Sequence, residues 1–315
     1  MTQKQIAIGL IVLLLIIGGT TLLPVEYPQA DEDVHRGIEV AGPYGVQNIP
    51  EVTLDIALPR YPEKAMVYRT VDTPVSKEDA LKMAKKFGMS GPLEEDEINY
   101  VIKKDPYTFE IEKETAYMTY TWEKRWSGVD PRDSPENLPT DEEARKIAGT
   151  FLISHDLMPE GAVYSGVTHG EGFFLNSTDE TSIQNYKDIK VLFTGTLSNL
   201  SVAGNGIYVT VGGDGDILKV AKRWREAEPY KEFEILSPGE AIEELKQTGI
   251  VTTMNSPQKA TVDEIKLCYY ASPPGDKQPY LKPTYYFHGT VEGEKGTGTF
   301  FQYVPAAPEL GKGVY

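Results

Sequence analysis

The side chains that could carry out bond chemistry are few and far apart in this sequence. None of the four histidines lies in a His-Glu-x-x-His motif or shares a helix with a carboxylate at metal-ligand spacing. The sequence also lacks a Gly-x-Ser-x-Gly elbow and a phosphate-binding glycine loop that ends in lysine. We therefore predict no catalytic, cofactor-binding or metal-binding residue, and interpret the histidines as surface or packing residues: His35, His155, His169 and His288.

Two further features of the sequence could in principle support chemistry. Cys268 is the single cysteine, which excludes an intrachain disulfide and a cysteine-based metal site, and its apolar neighbours indicate an inert, packed thiol. The run Gly212-Gly213-Asp214-Gly215-Asp216 has oxygen ligands that could suit calcium. A hairpin turn is favoured over a calcium loop, because the later ligand positions of such a loop hold Ile217, Leu218 and Val220.

A candidate interaction surface is the main functional prediction. Four consecutive residues form a basic and aromatic group in an acidic chain, suited to an anionic ligand or to cation–π contacts, with a structural role at a sheet edge as the alternative. Aromatic residues near the C-terminus suggest a peptide- or glycan-binding face, with packing between units as the alternative. The predicted surface comprises Lys222, Arg223, Trp224, Arg225, Tyr280 and Tyr285.

Two sequons could carry N-linked glycans, at Asn176 in Asn-Ser-Thr and at Asn199 in Asn-Leu-Ser. Such triplets also arise by chance, so ordinary polar turns are the alternative at both positions. The sequence supports glycosylation as an expectation for a chain outside the cytoplasm.

The chain has 315 residues and a formal net charge of −16, from 31 Lys and Arg against 47 Asp and Glu. That length allows two or three domains with proper cores. The negative charge argues against nucleic acid as a partner. Composition is that of a folded protein, with 40% hydrophobic residues.

An uncharged apolar run at residues 6–23 would span about 27 Å as a helix, enough to cross a bilayer. Lys4 before it and four acidic residues after it predict a cytoplasmic N-terminus. We expect residues 1–25 to be a retained transmembrane anchor, with a cleaved signal segment and secretion as the alternative. Residues 26–62 are expected to form a tether to an extracytoplasmic body.

A helix start of the form [Ser/Thr]-x-x-[Asp/Glu]-Ala occurs at Ser76, Thr140 and Ser237, and apolar residues then follow with helical spacing. Phe151 lies on the apolar stripe of the second helix and is predicted to be core. After each helix the period changes to that of β-strands. The first two units both end in Lys-Arg-Trp, which places Trp126 and Trp224 at equivalent strand ends.

These patterns predict an α+β fold, in which an N-terminal transmembrane helix precedes about three modules of one helix packed on an antiparallel sheet. The modules are expected at residues 63–133, 137–230 and 233–308. The extra length of the second module, residues 161–188, is expected to be a surface loop.

The third unit resembles PepSY-like extracytoplasmic modules, including the membrane-anchored YycH/YycI-type regulators. The similarity is carried by Ile235-Leu236-Ser237-Pro238-Gly239-Glu240-Ala241, Ile265 to Tyr270, and Tyr280-Leu281-Lys282-Pro283-Thr284-Tyr285. The resemblance implies a module that binds or restrains other envelope proteins, and it transfers no functional residue.

The expected function is therefore a membrane-tethered protein-interaction or regulatory module that acts without catalysis and without a cofactor. The expected partner is an envelope or membrane protein. A structural envelope component, with or without glycans, is the first alternative, and a secreted hydrolase is the second. Oligomeric state is not predicted.

Overall fold

The structure is a computed structural model, and it describes residues 45–307 except 50, 72–73, 128–129, 176–181, 255, 274–275, 277 and 295. Within these residues the α-helices are α1 (Lys77–Lys86), α2 (Glu123–Ser127), α3 (Asp141–Ser154) and α4 (Pro238–Thr248). The first strands are β1 (Gly45–Gln47), β2 (Glu51–Leu54), β3 (Lys64–Thr70), β4 (Glu94–Glu95), β5 (Asn99–Lys104), β6 (Tyr107–Glu112), β7 (Met118–Trp122) and β8 (Ala162–Leu175). The remaining strands are β9 (Ser182–Leu197), β10 (Leu200–Val211), β11 (Ile217–Arg223), β12 (Ala227–Glu234), β13 (Ile250–Thr252), β14 (Lys259–Tyr270), β15 (Tyr280–Leu281), β16 (Pro283–Gly293) and β17 (Gly296–Pro305).

The three predicted helix starts are confirmed. Ser76, Thr140 and Ser237 are the N-caps of α1, α3 and α4, and each hydroxyl accepts a hydrogen bond from the third backbone amide of its helix. The acidic residue at that third position bonds back to the cap amide, so all three are capping boxes. Local sequence therefore determines where these helices begin.

Fourteen strands form one mixed sheet. Its main order is β1-β13-β17-β16-β14-β10-β11-β7-β6-β5-β4, while β2 pairs with β14, β9 with β10, and β8 with β9. Most pairs are antiparallel, but β14 is parallel to both β2 and β10. Strands β12, β3 and β15 form a separate three-stranded sheet.

The large sheet has two lobes that meet where β10 and β14 pair at only two positions, Val202 with Tyr269 and Ala203 with Tyr270. Gly204 follows directly, with φ +85°, and a Cβ there would lie 2.1 Å from the carbonyl oxygen of Ala271. A side chain would therefore force the two strands apart, so this close approach requires glycine.

Each lobe has its own core. In the first lobe α1 and α3 pack together on one face of strands β5, β6, β7, β9, β10 and β11. In the second lobe α4 packs on β13, β14, β16 and β17. A smaller cluster around Tyr68 and Tyr269 joins the three-stranded sheet to the junction.

The predicted series of modules, each with one helix on its own sheet, is wrong. Strand β7 from the first unit pairs with β11 from the second, with Tyr120 opposite Val220. The two units therefore share one sheet and one core, because each supplies the neighbour that completes the backbone hydrogen bonds of the other's edge strand. Trp126 lies in α2 and Trp224 follows β11, so the two tryptophans do not occupy equivalent strand ends.

Other predicted boundaries also differ from the structure. The predicted tether contains β1 and β2, which pair with β13 and β14. The predicted surface loop at 161–188 holds β8 and the first part of β9, which form a long antiparallel hairpin. Phe151 is only partly buried, whereas Leu152 is completely buried.

The expectation of a single-pass membrane protein is withdrawn. Among the residues that the structure describes, no helix has both the length and the apolar character needed to cross a bilayer. The apolar run at 6–23, on which the predicted anchor and the predicted location both depended, lies outside the described residues.

Candidate binding face

The first lobe has two unlike faces, because side chains alternate across each strand. One face is covered by α1 and α3. The opposite face, which we call the open face, presents polar and aromatic side chains in cross-strand rows. It consists of Lys103, Thr108, Glu110, Tyr117, Thr119, Thr121, Lys190, Tyr208, Thr210, Lys219 and Arg223.

One row of the open face consists of three lysines and three threonines on six adjacent strands. Lys190 on β9 lies opposite Thr210 on β10, and Thr210 lies opposite Lys219 on β11. The row continues through Thr121, Thr108 and Lys103. The register thus places lysines from distant parts of the sequence on a common line.

Aromatic rings contact the cationic groups of this face. Lys219 Nζ lies 4.4 Å from the ring centroid of Trp126, and Lys187 Nζ lies 5.8 Å from the same ring. Lys190 Nζ lies 5.2 Å from the Tyr208 ring. These are cation–π distances, and they hold the ammonium groups over the sheet.

A second set of aromatic residues continues from the open face across the lobe junction. The Arg223 guanidinium lies 5.7 Å from the Tyr117 ring centroid and also interacts electrostatically with Tyr270, at the end of β14. Tyr270 is 4.8 Å from Tyr303 between ring centroids, and Tyr286 is 5.2 Å from Tyr303. We call Tyr117, Tyr208, Arg223, Tyr270 and Tyr303 the tyrosine band.

Several pKa values on this surface depart from the usual range. Burial, with a smaller contribution from repulsion by Lys190, lowers the pKa of Lys219. Burial, together with the neighbouring Tyr208, raises the pKa of Tyr117 to about 12. Burial also raises the pKa of the Tyr270 hydroxyl, against the attraction of Arg223. Tyr117 and Tyr270 are therefore neutral near neutral pH.

Trp126 is positioned by the residue before it. Arg125 is buried, and its guanidinium donates to both carboxylate oxygens of Asp133, with Nε to Oδ2 at 3.1 Å. Its Nη1 donates to Asp216 at 2.5 Å. Asp133 also accepts from the backbone amide of Gly213 at 2.9 Å. This network ties α2 to the turn after β10.

The same network accounts for the glycine and aspartate turn. Asp216 is ion-paired with Arg125 and lies 3.7 Å from Arg132, and Asp214 has φ 60° and is exposed. The predicted turn between two antiparallel strands is confirmed. Within the described residues, no group of three or more His, Cys, Asp and Glu side chains could hold a metal ion.

The predicted basic group is divided among different environments. Arg223 belongs to the open face, whereas Lys222 interacts electrostatically with Glu226, Lys86 and Asp156, near the ends of α1 and α3, and burial lowers its pKa. Trp224 packs against the core of the first lobe. Arg225 donates to the backbone carbonyls of Ser272, Pro273 and Asp276 and therefore holds the loop after β14.

Tyr280 and Tyr285, the other residues predicted for the interaction surface, lie in different parts of the structure. Tyr285 is fully buried in the second core, and its hydroxyl donates to the Leu236 carbonyl at 2.8 Å, so it belongs to no surface. Tyr280 is partly exposed on the three-stranded sheet, 5.2 Å from the Tyr230 ring. Asn199 is exposed in the two-residue turn between β9 and β10, and its glycosylation stays a prediction. Asn176 lies outside the described residues.

Sequence reasoning missed the lysine and threonine row and the part played by Trp126. The signal was present as alternation, since Lys190, Thr210 and Lys219 each lie between apolar residues in a strand pattern. This alternation alone does not show that the three side chains lie side by side, because the pairing of β9, β10 and β11 depends on the whole fold and not on the local sequence.

Two histidines also have carboxylate partners: His288 Nδ1 lies 2.8 Å from Asp263, and His169 Nε2 lies 2.9 Å from Asp141.

Comparison with known proteins yields only weak structural similarity. No protein-family model matches the chain, and no curated protein matches it. A crystal structure of an uncharacterized protein from Eubacterium rectale ATCC 33656 is similar, with a TM-score of 0.48 and 13% sequence identity over 81% of this chain and 86% of that chain. No functional conclusion follows from a likeness of this degree, and the resemblance to PepSY-like modules stays a prediction.

Proposed function

We propose that this protein is a non-catalytic binding protein that contacts a partner protein through its open face and tyrosine band. The observation that carries the proposal is the tyrosine band, in which Arg223 interacts with Tyr117 and Tyr270, and Tyr270 contacts Tyr303, on the side of the sheet away from α1 and α3. Tyrosine, tryptophan and arginine are the residues enriched at binding hot spots. Their rings offer large contact areas at low cost in side-chain entropy.

The geometry of the band suits a protein surface better than a small ligand. It crosses the junction between the two lobes, from Tyr117, directly before β7, to Tyr303 on β17. The strands between them follow the order β7-β11-β10-β14-β16-β17, which at about 4.8 Å per strand gives a width of roughly 24 Å. Protein interfaces have this extent, whereas a small ligand occupies a fraction of it.

The environments of the chemically reactive side chains also support a function in binding and not in catalysis. Burial raises the pKa of the Cys268 thiol to about 12, which keeps it protonated and unreactive. The buried charges of Arg125 and Asp133 are bound to each other. These groups contribute to structure, and the aromatic and cationic side chains contribute to recognition.

A site-specific cross-linking experiment tests the proposal. A photo-reactive amino acid is placed at Thr119, which is half-buried on the open face, and as a matched control at Glu142, which is exposed on α3. We expect irradiation in the native cell to give a discrete cross-linked protein from position 119 but not from 142.

The Arg223→Ala change should remove that product, because it deletes the cation at the centre of the band. A variant with Lys82→Ala, on the exposed surface of α1, should retain it. Equal products from both positions, or a product that survives Arg223→Ala unchanged, would contradict the proposal.

A further inference from the structure

The three-stranded sheet of β12, β3 and β15 has one face against the body of the protein and one face toward solvent. Met66 on β3 packs with the cluster around Tyr68 and Tyr269. Because side chains alternate along a strand, Val67 and Arg69 point to the opposite side, which we call the outer face. The outer face shares no residue with the open face or with the tyrosine band.

Three aromatic rings form a continuous strip on the outer face. Phe233 lies opposite Ala65, and Tyr280 lies opposite Arg69. Tyr230 is at the centre of the strip, with its ring centroid 5.2 Å from that of Tyr280 and 6.5 Å from that of Phe233. Tyr230 is also 51% exposed, and its ring plane differs from that of Phe233 by only 24°. An exposed group of large apolar side chains with a polar border is typical of an interaction site.

Charged side chains border the strip and offer both kinds of hydrogen-bonding group. Arg69 and Glu228 form an ion pair at 3.4 Å, and their side chains are 61% and 63% exposed. Lys231 Nζ lies 5.3 Å from the Phe233 ring centroid. Arginine and lysine donate hydrogen bonds and glutamate accepts them, so the border suits a ligand whose polar groups do both.

The free edge of this sheet is unsuited to an added peptide strand. Strand β12 is at the edge, next to β3. Pro229 has no N–H group, and the register with β3 shifts between Pro229 and Lys231, which leaves Tyr230 as a bulge. Both features interrupt the line of backbone groups with which an extended peptide would pair.

The outer face is also small for a protein partner. Two strand spacings of about 4.8 Å make it roughly 10 Å wide. The 8 residues of β12 make it about 27 Å long, so its area is roughly 300 Å². A stable protein interface buries about 800 Å² on each partner.

We propose that the outer face binds a neutral glycan, with Tyr230, Phe233 and Tyr280 as its stacking platform. The C–H groups on one side of a pyranose ring carry partial positive charge and pack against the negative face of an aromatic ring. The sugar hydroxyls both donate and accept hydrogen bonds, which matches Arg69 and Glu228. A polyanionic polysaccharide is disfavoured, because the net charge of −16 repels it.

The test titrates the full chain with three neutral oligosaccharides, cellohexaose, maltohexaose and chitohexaose, and with oligogalacturonate as an anionic reference. Calorimetry follows the titrations. We expect saturable binding of at least one neutral oligosaccharide, tighter than that of the anionic one. Absence of binding by all three neutral oligosaccharides would overturn the proposal, and so would tighter binding of oligogalacturonate.

Changes at Tyr230 separate the ring from its hydroxyl. Tyr230→Ala removes the centre of the strip and should weaken binding roughly ten-fold or more, because both stacking and apolar contact are lost. Tyr230→Phe keeps the ring and should bind within about two-fold of the unchanged protein. Ile98→Ala is the matched control, since this side chain on the first lobe is 58% exposed, and it should leave the affinity unchanged. Circular dichroism establishes that each variant is folded before titration.

Two outcomes of these experiments would assign the face differently. Equal weakening by Tyr230→Ala and Ile98→Ala would overturn the proposal, since the effect would then lie outside the outer face. A photo-reactive amino acid at Lys231, which is exposed on β12, tests for a protein partner. A discrete cross-linked protein that is lost with Tyr280→Ala, combined with no response to the sugars, would identify a protein as the ligand and overturn the glycan.

Discussion

Replacing Asp133 with alanine tests the network that holds α2 in place. Arg125 is buried, and Asp133 accepts two of its hydrogen bonds as well as one from the Gly213 amide. The change leaves a buried guanidinium with Asp216, whose side chain is 40% exposed, and with Asp130 at 3.8 Å, and it leaves the Gly213 amide without its acceptor. Breaking a buried ion pair on one side costs about 3–5 kcal/mol, so we expect a loss of that size in the free energy of unfolding.

Two matched variants separate the charge from the packing. Asp216→Ala removes the more exposed partner and should cost only about 1 kcal/mol, because solvent screens that pair and Asp133 still neutralises Arg125. The double change Arg125→Met with Asp133→Asn should cost less than Asp133→Ala alone. It leaves no uncompensated buried charge, and the asparagine oxygen can still accept from the Gly213 amide.

Urea unfolding followed by circular dichroism gives these free energies, with the slope of the transition as a check that each variant unfolds in two states. The reasoning would be refuted by a loss below 1 kcal/mol for Asp133→Ala. It would also be refuted if Asp216→Ala were the more damaging of the two single changes.

Three further outcomes follow from the structure. Gly204→Ala should destabilise more than Gly88→Ala in urea unfolding, because both have positive φ but only the Cβ at 204 would meet a backbone carbonyl. Leu152→Ala should cost about 2–5 kcal/mol and Phe151→Ala clearly less, since only Leu152 is fully buried; equal losses would contradict this. Cys268 should react with a thiol reagent at pH 8 only after denaturant is added, because burial raises its pKa to about 12; rapid labelling of the folded protein would show the thiol to be accessible.

Local features of this fold could be predicted from the sequence. The caps at Ser76, Thr140 and Ser237 act within four residues, so the pattern that predicts each helix also contains its cause. Strand β5 lies after the first helix, where the period of the sequence changes to that of a strand. Alternating side chains are visible in the sequence wherever one face of a strand is buried.

Pairing between distant strands could not be predicted in this way. The repeated Lys-Arg-Trp ending suggested two separate modules, but pairing of β7 with β11 joins residues about 100 positions apart, such as Tyr120 and Val220. The first Lys-Arg-Trp is part of helix α2, whereas the second begins in strand β11 and continues past its end. The same three residues therefore have different structures because their neighbours in space differ.

The candidate site depends on this long-range pairing. Lys190, Thr210 and Lys219 form a row only because β9, β10 and β11 are adjacent with one particular register. A shift of one residue in either pair would move the lysine to the face covered by α1 and α3. Trp126 reaches Lys219 because Arg125 anchors α2 through Asp133 and Asp216. The buried ion network therefore positions Trp126 against Lys219 on the open face.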